Sequence, residues 1–127
     1  GDVVYHRKPS AEAGVGELPT DARPARNIVR LRAKPDYDPE FRNLFGAVVD
    51  EVVAGKPVGF RRVSVINIGR RNYCIVGEWA SFDHFASARP LLLKYFDQTR
   101  QWVEDIGGMG PTFAVSGEVV LDLPGMP

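Results

Sequence analysis

From residue 27 onward, apolar and polar positions alternate in two distinct periods, and the period changes in a definite order. Asn27 to Lys34 alternates as a strand, with Val29, Leu31 and Ala33 pointing one way and Ile28, Arg30 and Arg32 the other. Pro35 ends it. Phe41, Leu44, Phe45, Val48, Val49, Val52 and Val53 then recur at the spacing of a single helical stripe. Asp38 is placed to cap that helix, Pro39 suits its first position, and Gly55 suits a left-handed stop. Val58 to Ile68 and Asn72 to Trp79 read as two strands joined by a turn through Gly69, Arg70 and Arg71. Ser81 is a good cap for a second helix reaching to about residue 105, with Asp83 favourable in its first turn. Pro90 inside it predicts a kink or two abutting helices. After the glycine-rich loop 107–111, Val115 to Leu123 predicts a last strand. The order is strand, helix, strand, strand, helix, strand.

The faces of these strands carry a second message. In the strand at 72–79, Tyr73, Ile75, Gly77 and Trp79 share one face, yet Cys74 and Val76 occupy the reverse. In the preceding strand Val63 and Val65 oppose Ile66 and Ile68. A sheet covered by helices on one side and water on the other alternates cleanly between apolar and polar. Apolar residues on both sides imply a second cover, and a second copy of the chain is the economical one. A homodimer is therefore expected. Residues 1–26 show neither period and hold Pro9, Pro19 and Pro24 with Gly14 and Gly16, so they read as an arm before a single domain at 27–127. That arm is expected to be a loose tail, or to be pinned onto the domain or its partner by Val3, Val4 and Tyr5.

Composition narrows the function classes. Sixteen basic residues balance sixteen acidic ones, so no net field draws the chain to nucleic acid or to an anionic membrane. No apolar run approaches the roughly 18 residues of a membrane helix. Gly1 to Ser10 hold no stretch like an export signal, and Gly in place of an opening Met fits a processed or trimmed start. One cysteine, Cys74, allows no internal disulfide and favours a reducing, cytoplasmic setting. His6, His84 and Cys74 lie far apart without paired spacing, so no metal site is expected. Neither a phosphate-binding loop nor a serine elbow is present, and Cys74 in mid-strand reads as a small hydrophobe.

What remains is a small-molecule cavity. Trp79 stands at a strand end directly before the second helix, where an indole either fills the core or walls a site between sheet and helices. Asn67, Arg89 and Tyr95 could supply polar groups to such a site. His84, in the first turn of the helix, would be held neutral by the positive end of the dipole and could act as a base or ligand, or simply be a residue near the cap.

The passage Gly77-Glu78-Trp79-Ala80-Ser81-Phe82-Asp83-His84-Phe85, together with Phe41-Arg42-Asn43-Leu44-Phe45 and Val115-Ser116-Gly117-Glu118-Val119-Val120, resembles the antibiotic-biosynthesis-monooxygenase-like group. Its members often carry Glu-Trp-x-Ser-x-x-x-Phe here, matched at Glu78, Trp79, Ser81 and Phe85. The likeness covers about 28 to 123. It implies an α+β, ferredoxin-like βαββαβ domain with an antiparallel four-stranded sheet, paired into a dimeric α+β barrel. It also implies a small aromatic or apolar ligand, no cofactor, and catalytic roles for Trp79, Arg89 and Tyr95; ligand contacts are expected from Trp79, His84, Asn67 and Phe85. The group contains cofactor-independent oxygenases of polycyclic aromatics, heme-degrading enzymes, and barrels without demonstrated activity. Both enzyme types have a tryptophan where Trp79 stands. The heme-degrading type also has a strand-one asparagine, which Asn27 only approaches, and a helix-two histidine beyond His84, where Arg89 and its neighbours stand. An RNA-recognition motif shares the element order, but Ile75 replaces its second stacking aromatic and the net charge is zero.

Overall fold

The computed structural model describes residues 2–8, 23–104 and 112–120. The elements are β1 (Asp2–Arg7), β2 (Ala25–Arg32), α1 (Asp38–Ala54), β3 (Phe60–Gly69), β4 (Asn72–Trp79), α2 (Phe82–Thr99), a 3-10 turn (Arg100–Trp102) and β5 (Thr112–Glu118). The strands form one antiparallel sheet in the order β1-β3-β4-β2-β5. Removing β1 leaves the expected ferredoxin-like arrangement, with the first and third strands of the βαββαβ unit at its centre.

The fifth strand comes from the segment read as an arm. Asp2–Arg7 lies along the free edge of β3, pairing from Asp2 with Asn67 to Arg7 with Val63. Arg7 Nε sits 3.3 Å from Asp50 Oδ1 on α1, and His6 Nδ1 lies 2.8 Å from Ser64 Oγ. Positions 9–22 of the expected arm, including Pro9, Pro19, Gly14 and Gly16, lie outside the described residues, as does Leu121–Leu123 of the expected last strand. β5 starts three residues earlier than its apolar run suggests and ends at Glu118. The glycine-rich loop also lies outside, up to residue 111.

Both helices pack on the sheet face bearing Ala25, Val29, Leu31, Val63, Val65, Tyr73, Ile75 and Trp79, and the core is continuous from these to Phe41, Phe45, Val49 and Phe85. The predicted stripe of α1 is the buried one: Phe41, Phe45, Val48 and Val49 are all within it. Burying side chains of this size contributes about 1.5–3 kcal/mol each, which outweighs the weak local signals at the helix ends.

Those ends differ from what the sequence predicts. The helix takes in Asp38 as its first residue, and Tyr37 precedes it without a side-chain capping bond. Gly55 keeps right-handed angles, its N–H bonding the carbonyls of Glu51 and Val52. The left-handed residue is Lys56, at φ +47°. Pro57 follows it, and a proline disfavours the right-handed helical region for the residue before it.

α2 begins as expected, with Ser81 Oγ accepting the His84 N–H at 3.2 Å. It then runs through Pro90 as one helix. Proline forfeits the bond to the carbonyl four residues back, but Ala86 and Pro90 are both exposed, so that carbonyl can face water. A 3-10 turn replaces the helix after Thr99, and Val103 bridges to Ala33.

Candidate functional site

The site is built on one cross-strand pair. β2 and β4 are in register with Asn27 opposite Gly77 and Ala25 opposite Trp79. Directly opposed residues share a face and nearly touch, so the missing side chain at 77 decides what Asn27 can do. A Cβ built on Gly77 would overlap Asn27 Oδ1 and stand 3.3 Å from Trp79 Nε1. Glycine leaves that space open, and the Asn27 amide lies across β4 to accept the indole N–H of Trp79 at 2.8 Å.

Trp79 is 1% exposed and its ring is held edge-on from two sides, by Phe60 at 5.3 Å and by Phe85 at 5.9 Å between centroids. An indole can only donate, so the amide oxygen is the Asn27 atom facing it. The NH2 of Asn27 is left with two donors and no hydrogen-bond partner among the described residues. Asn27 is itself buried on a largely apolar face.

Two cavities meet at this amide. The first, about 50 Å³, lies between Trp79, Gly77 and α1 on one side and Tyr95 and Phe96 of α2 on the other. The second, about 150 Å³, extends past Phe85 and Arg89 towards Ala114 and Ser116 of β5. Asn27, Leu92 and Phe96 belong to both walls. The result is a two-lobed, largely apolar chamber between the sheet and α2, with the carboxamide at its waist.

The structure brings four of the predicted residues to this chamber. Trp79 and Tyr95 line the inner lobe, and Phe85 and Arg89 the outer one. Two are elsewhere. Asn67 pairs with Tyr73 near the opposite end of β4, six residues from Trp79 or about 20 Å along an extended strand. The strand pattern puts Asn67 on the correct face but cannot say how far down the sheet it lies. His84 is turned towards the helix start: its Nδ1 lies 2.7 Å from Ser81 Oγ, and its ring covers Gly59, where a Cβ would collide with the imidazole. It lines neither lobe. Gly59 has φ +81°, so glycine suits the position on both counts.

Asn27 is the residue that the sequence underrates. The resemblance places it only near a family position, whereas in the fold it is the partner of Trp79. One signal was available: a carboxamide on the same face as Val29, Leu31 and Ala33, since a buried polar group needs a partner.

Among the described residues no helix covers the reverse of the sheet. Ile28, Ile66, Cys74 and Val76 are half-buried there by their neighbours, and Val115 is 48% exposed. Glu78 bridges Arg26 and Arg62 along one side of this face. Burial pushes the Cys74 thiol above its usual pKa, with the Arg30 charge opposing. Among the described residues no group of three His, Cys, Asp or Glu side chains could hold a metal ion, and no helix is long and apolar enough to cross a membrane.

No family model matches the chain, and no curated protein sequence matches it significantly. Solved structures do match its fold. SnoaB, a cofactor-independent oxygenase from Streptomyces nogalater, is 17% identical over 82% of this chain and all of its own, with a TM-score of 0.62. A protein from Nitrosomonas europaea assigned to the antibiotic biosynthesis monooxygenases is 13% identical over 81% of this chain and 96% of its own, at 0.61. A heme-degrading protein from Mycobacterium tuberculosis is 21% identical over 83% of this chain and all of its own, at 0.52. The chain has the antibiotic-biosynthesis-monooxygenase-like fold.

Proposed function

We propose, starting from that fold, that this chain binds a small aromatic molecule beside Trp79 and oxygenates it without a cofactor. The observation that carries the reading is the Asn27 carboxamide, oriented by the Trp79 indole N–H at 2.8 Å, with its own NH2 turned loose in an apolar chamber. A donor pre-aimed in a largely apolar site stabilises charge that develops on a substrate oxygen better than freely hydrated donors do.

Oxygenation of this kind draws its electrons from the substrate. A CH2 beside a phenolic or ketonic ring gives up four electrons; one atom of O2 becomes the new C=O, and the other leaves as water with the two hydrogens. The ring oxygen gains negative charge as the first C–H proton departs, and Asn27 is the donor for it. Trp79 fixes the amide and, with Phe85 and Leu92, presents apolar walls to the ring. Tyr95 brings a second polar group to the inner lobe.

The protein is, in this proposal, a homodimer through the reverse face of the sheet. The half-buried strip Ile28, Ile66 and Val76, continued by Val115, suits a second copy, and the Arg26–Glu78–Arg62 row would form the polar rim.

Oxygen uptake with phenolic ring compounds tests the enzyme. Trp79→Phe should keep the fold and lower the rate, because Asn27 loses its orienting donor. Binding without any oxygen uptake by the wild type would leave a non-catalytic binding barrel. A shifted Soret band on adding hemin would move the reading to heme chemistry. A light-scattering mass of one chain at micromolar concentration would reject the dimer.

A further inference from the structure

The outer lobe holds a charge that the proposed oxygenation leaves unused. Among the described residues lining the two lobes, Arg89 is the one that carries charge. The residue is exposed and makes no ion pair or hydrogen bond with any described residue. Apart from Asn27 and Ser116, the other described residues that wall its lobe are apolar, Phe85, Leu92 and Phe96 among them.

We infer that Arg89 is the specificity-determining residue for an anionic oxygen, and that the ligand is a single-ring aromatic carrying a carboxylate or phenolate. The inference rests on the proposed binding site beside Trp79 and deepens it. Two features support it. A guanidinium offers five donors in a planar fork that matches a carboxylate, and this residue lines a lobe with mostly apolar walls, beside which the pairing is stronger than in open water. The size of the outer lobe is the second. An apolar cavity of about 150 Å³ accommodates one benzene ring, and the outer lobe has that volume. The inner lobe, about 50 Å³, adds room for a substituent. A ring in the outer lobe reaches Asn27 at the waist and Arg89 at the mouth, so one donor polarises the reacting oxygen while the other anchors the charge.

The test is a binding titration followed by tryptophan fluorescence, in a Trp102→Phe background so that Trp79 alone reports. The probes are benzoate, 4-nitrophenol at a pH where it is ionised, and the neutral methyl benzoate, each against the wild-type residue at 89, Arg89→Gln and Arg89→Lys. At least one anion should bind about tenfold tighter than the neutral ester, as expected for a charge-assisted bond. Arg89→Gln should remove that preference without changing affinity for the ester, and Arg89→Lys should restore part of it. Which anion gains more decides between carboxylate and phenolate. Equal affinity for the anions and the ester, or a preference that survives Arg89→Gln, overturns the role of Arg89 while leaving the site beside Trp79 standing. If none of the three probes binds, both readings fall.

Discussion

The two ends of the buried sheet face are both aromatic, yet one is solid and the other hollow. At the end near the β3–β4 turn, Phe41 stacks on Tyr73 at 4.4 Å and on Phe45 at 5.4 Å, and Phe41 is fully buried. At the other end Phe60, Trp79 and Phe85 meet edge-to-face, and the chamber opens beside them. The hydrophobic content is similar. The difference is that the hollow end contains a polar pair, Trp79 with Asn27, and a position without a side chain, Gly77. A donor-only indole must be satisfied when buried, and satisfying it with a short carboxamide leaves space that an aliphatic side chain would have filled.

Substitutions at the two ends should therefore differ in kind. The largest effect belongs to the solid end: Phe41→Ala should cost about 3–5 kcal/mol in denaturant unfolding, because it removes a fully buried ring and leaves a void. A loss below about 1 kcal/mol would mean that this end is no better packed than the other.

Gly77→Ala comes next, at about 1–3 kcal/mol, since its methyl group cannot coexist with the Asn27 amide in its present place. The sharper measurement is the double variant. Asn27→Ala should make Gly77→Ala markedly less costly, and strict additivity of the two in unfolding experiments would contradict the contact. Asn27→Ala alone should cost about 1–2 kcal/mol by stranding the indole N–H, and should shift Trp79 emission.

The smallest effect lies on the reverse face, at Cys74. Its folded-state pKa is raised, so the folded protein holds that proton harder than the unfolded chain does. The associated stability is present below the ordinary thiol pKa and fades as pH rises through the folded value. The fall in the urea midpoint across alkaline pH should be slightly shallower in Cys74→Ala, and alkylation of the native thiol should lag behind that of a free one.

The periodic elements, and the residues that pack by period, were legible in the sequence. Phe41, Phe45, Val48 and Val49 form a helical stripe, and Tyr73, Ile75 and Trp79 share a strand face, because burial is what generates such patterns. Features set by a partner strand were not legible. Whether Asn27 faces Gly77 or another residue depends on the register between β2 and β4, which neither strand carries alone. The same is true of Asn67, whose remoteness from Trp79 is a matter of register. Helix ends were legible where a side chain makes the bond, as at Ser81, and not where backbone angles alone close the helix, as at Gly55 and Lys56. Docking of the arm through Val3, Val4 and Tyr5 was one of two readings, but the strand β1 was not legible, because six residues at a sheet edge, with Val3 60% exposed, need no strong alternation.

That edge strand also bears on how the chain behaves before it is fully folded. Until Asp2–Arg7 docks, the backbone amides and carbonyls along the outer side of the ten-residue β3 are open to any other extended segment, including the same strand of a neighbouring molecule. A version shortened by its first eight residues would keep its chamber intact but carry a permanently sticky border, and its solubility, rather than its ligand chemistry, would report the loss.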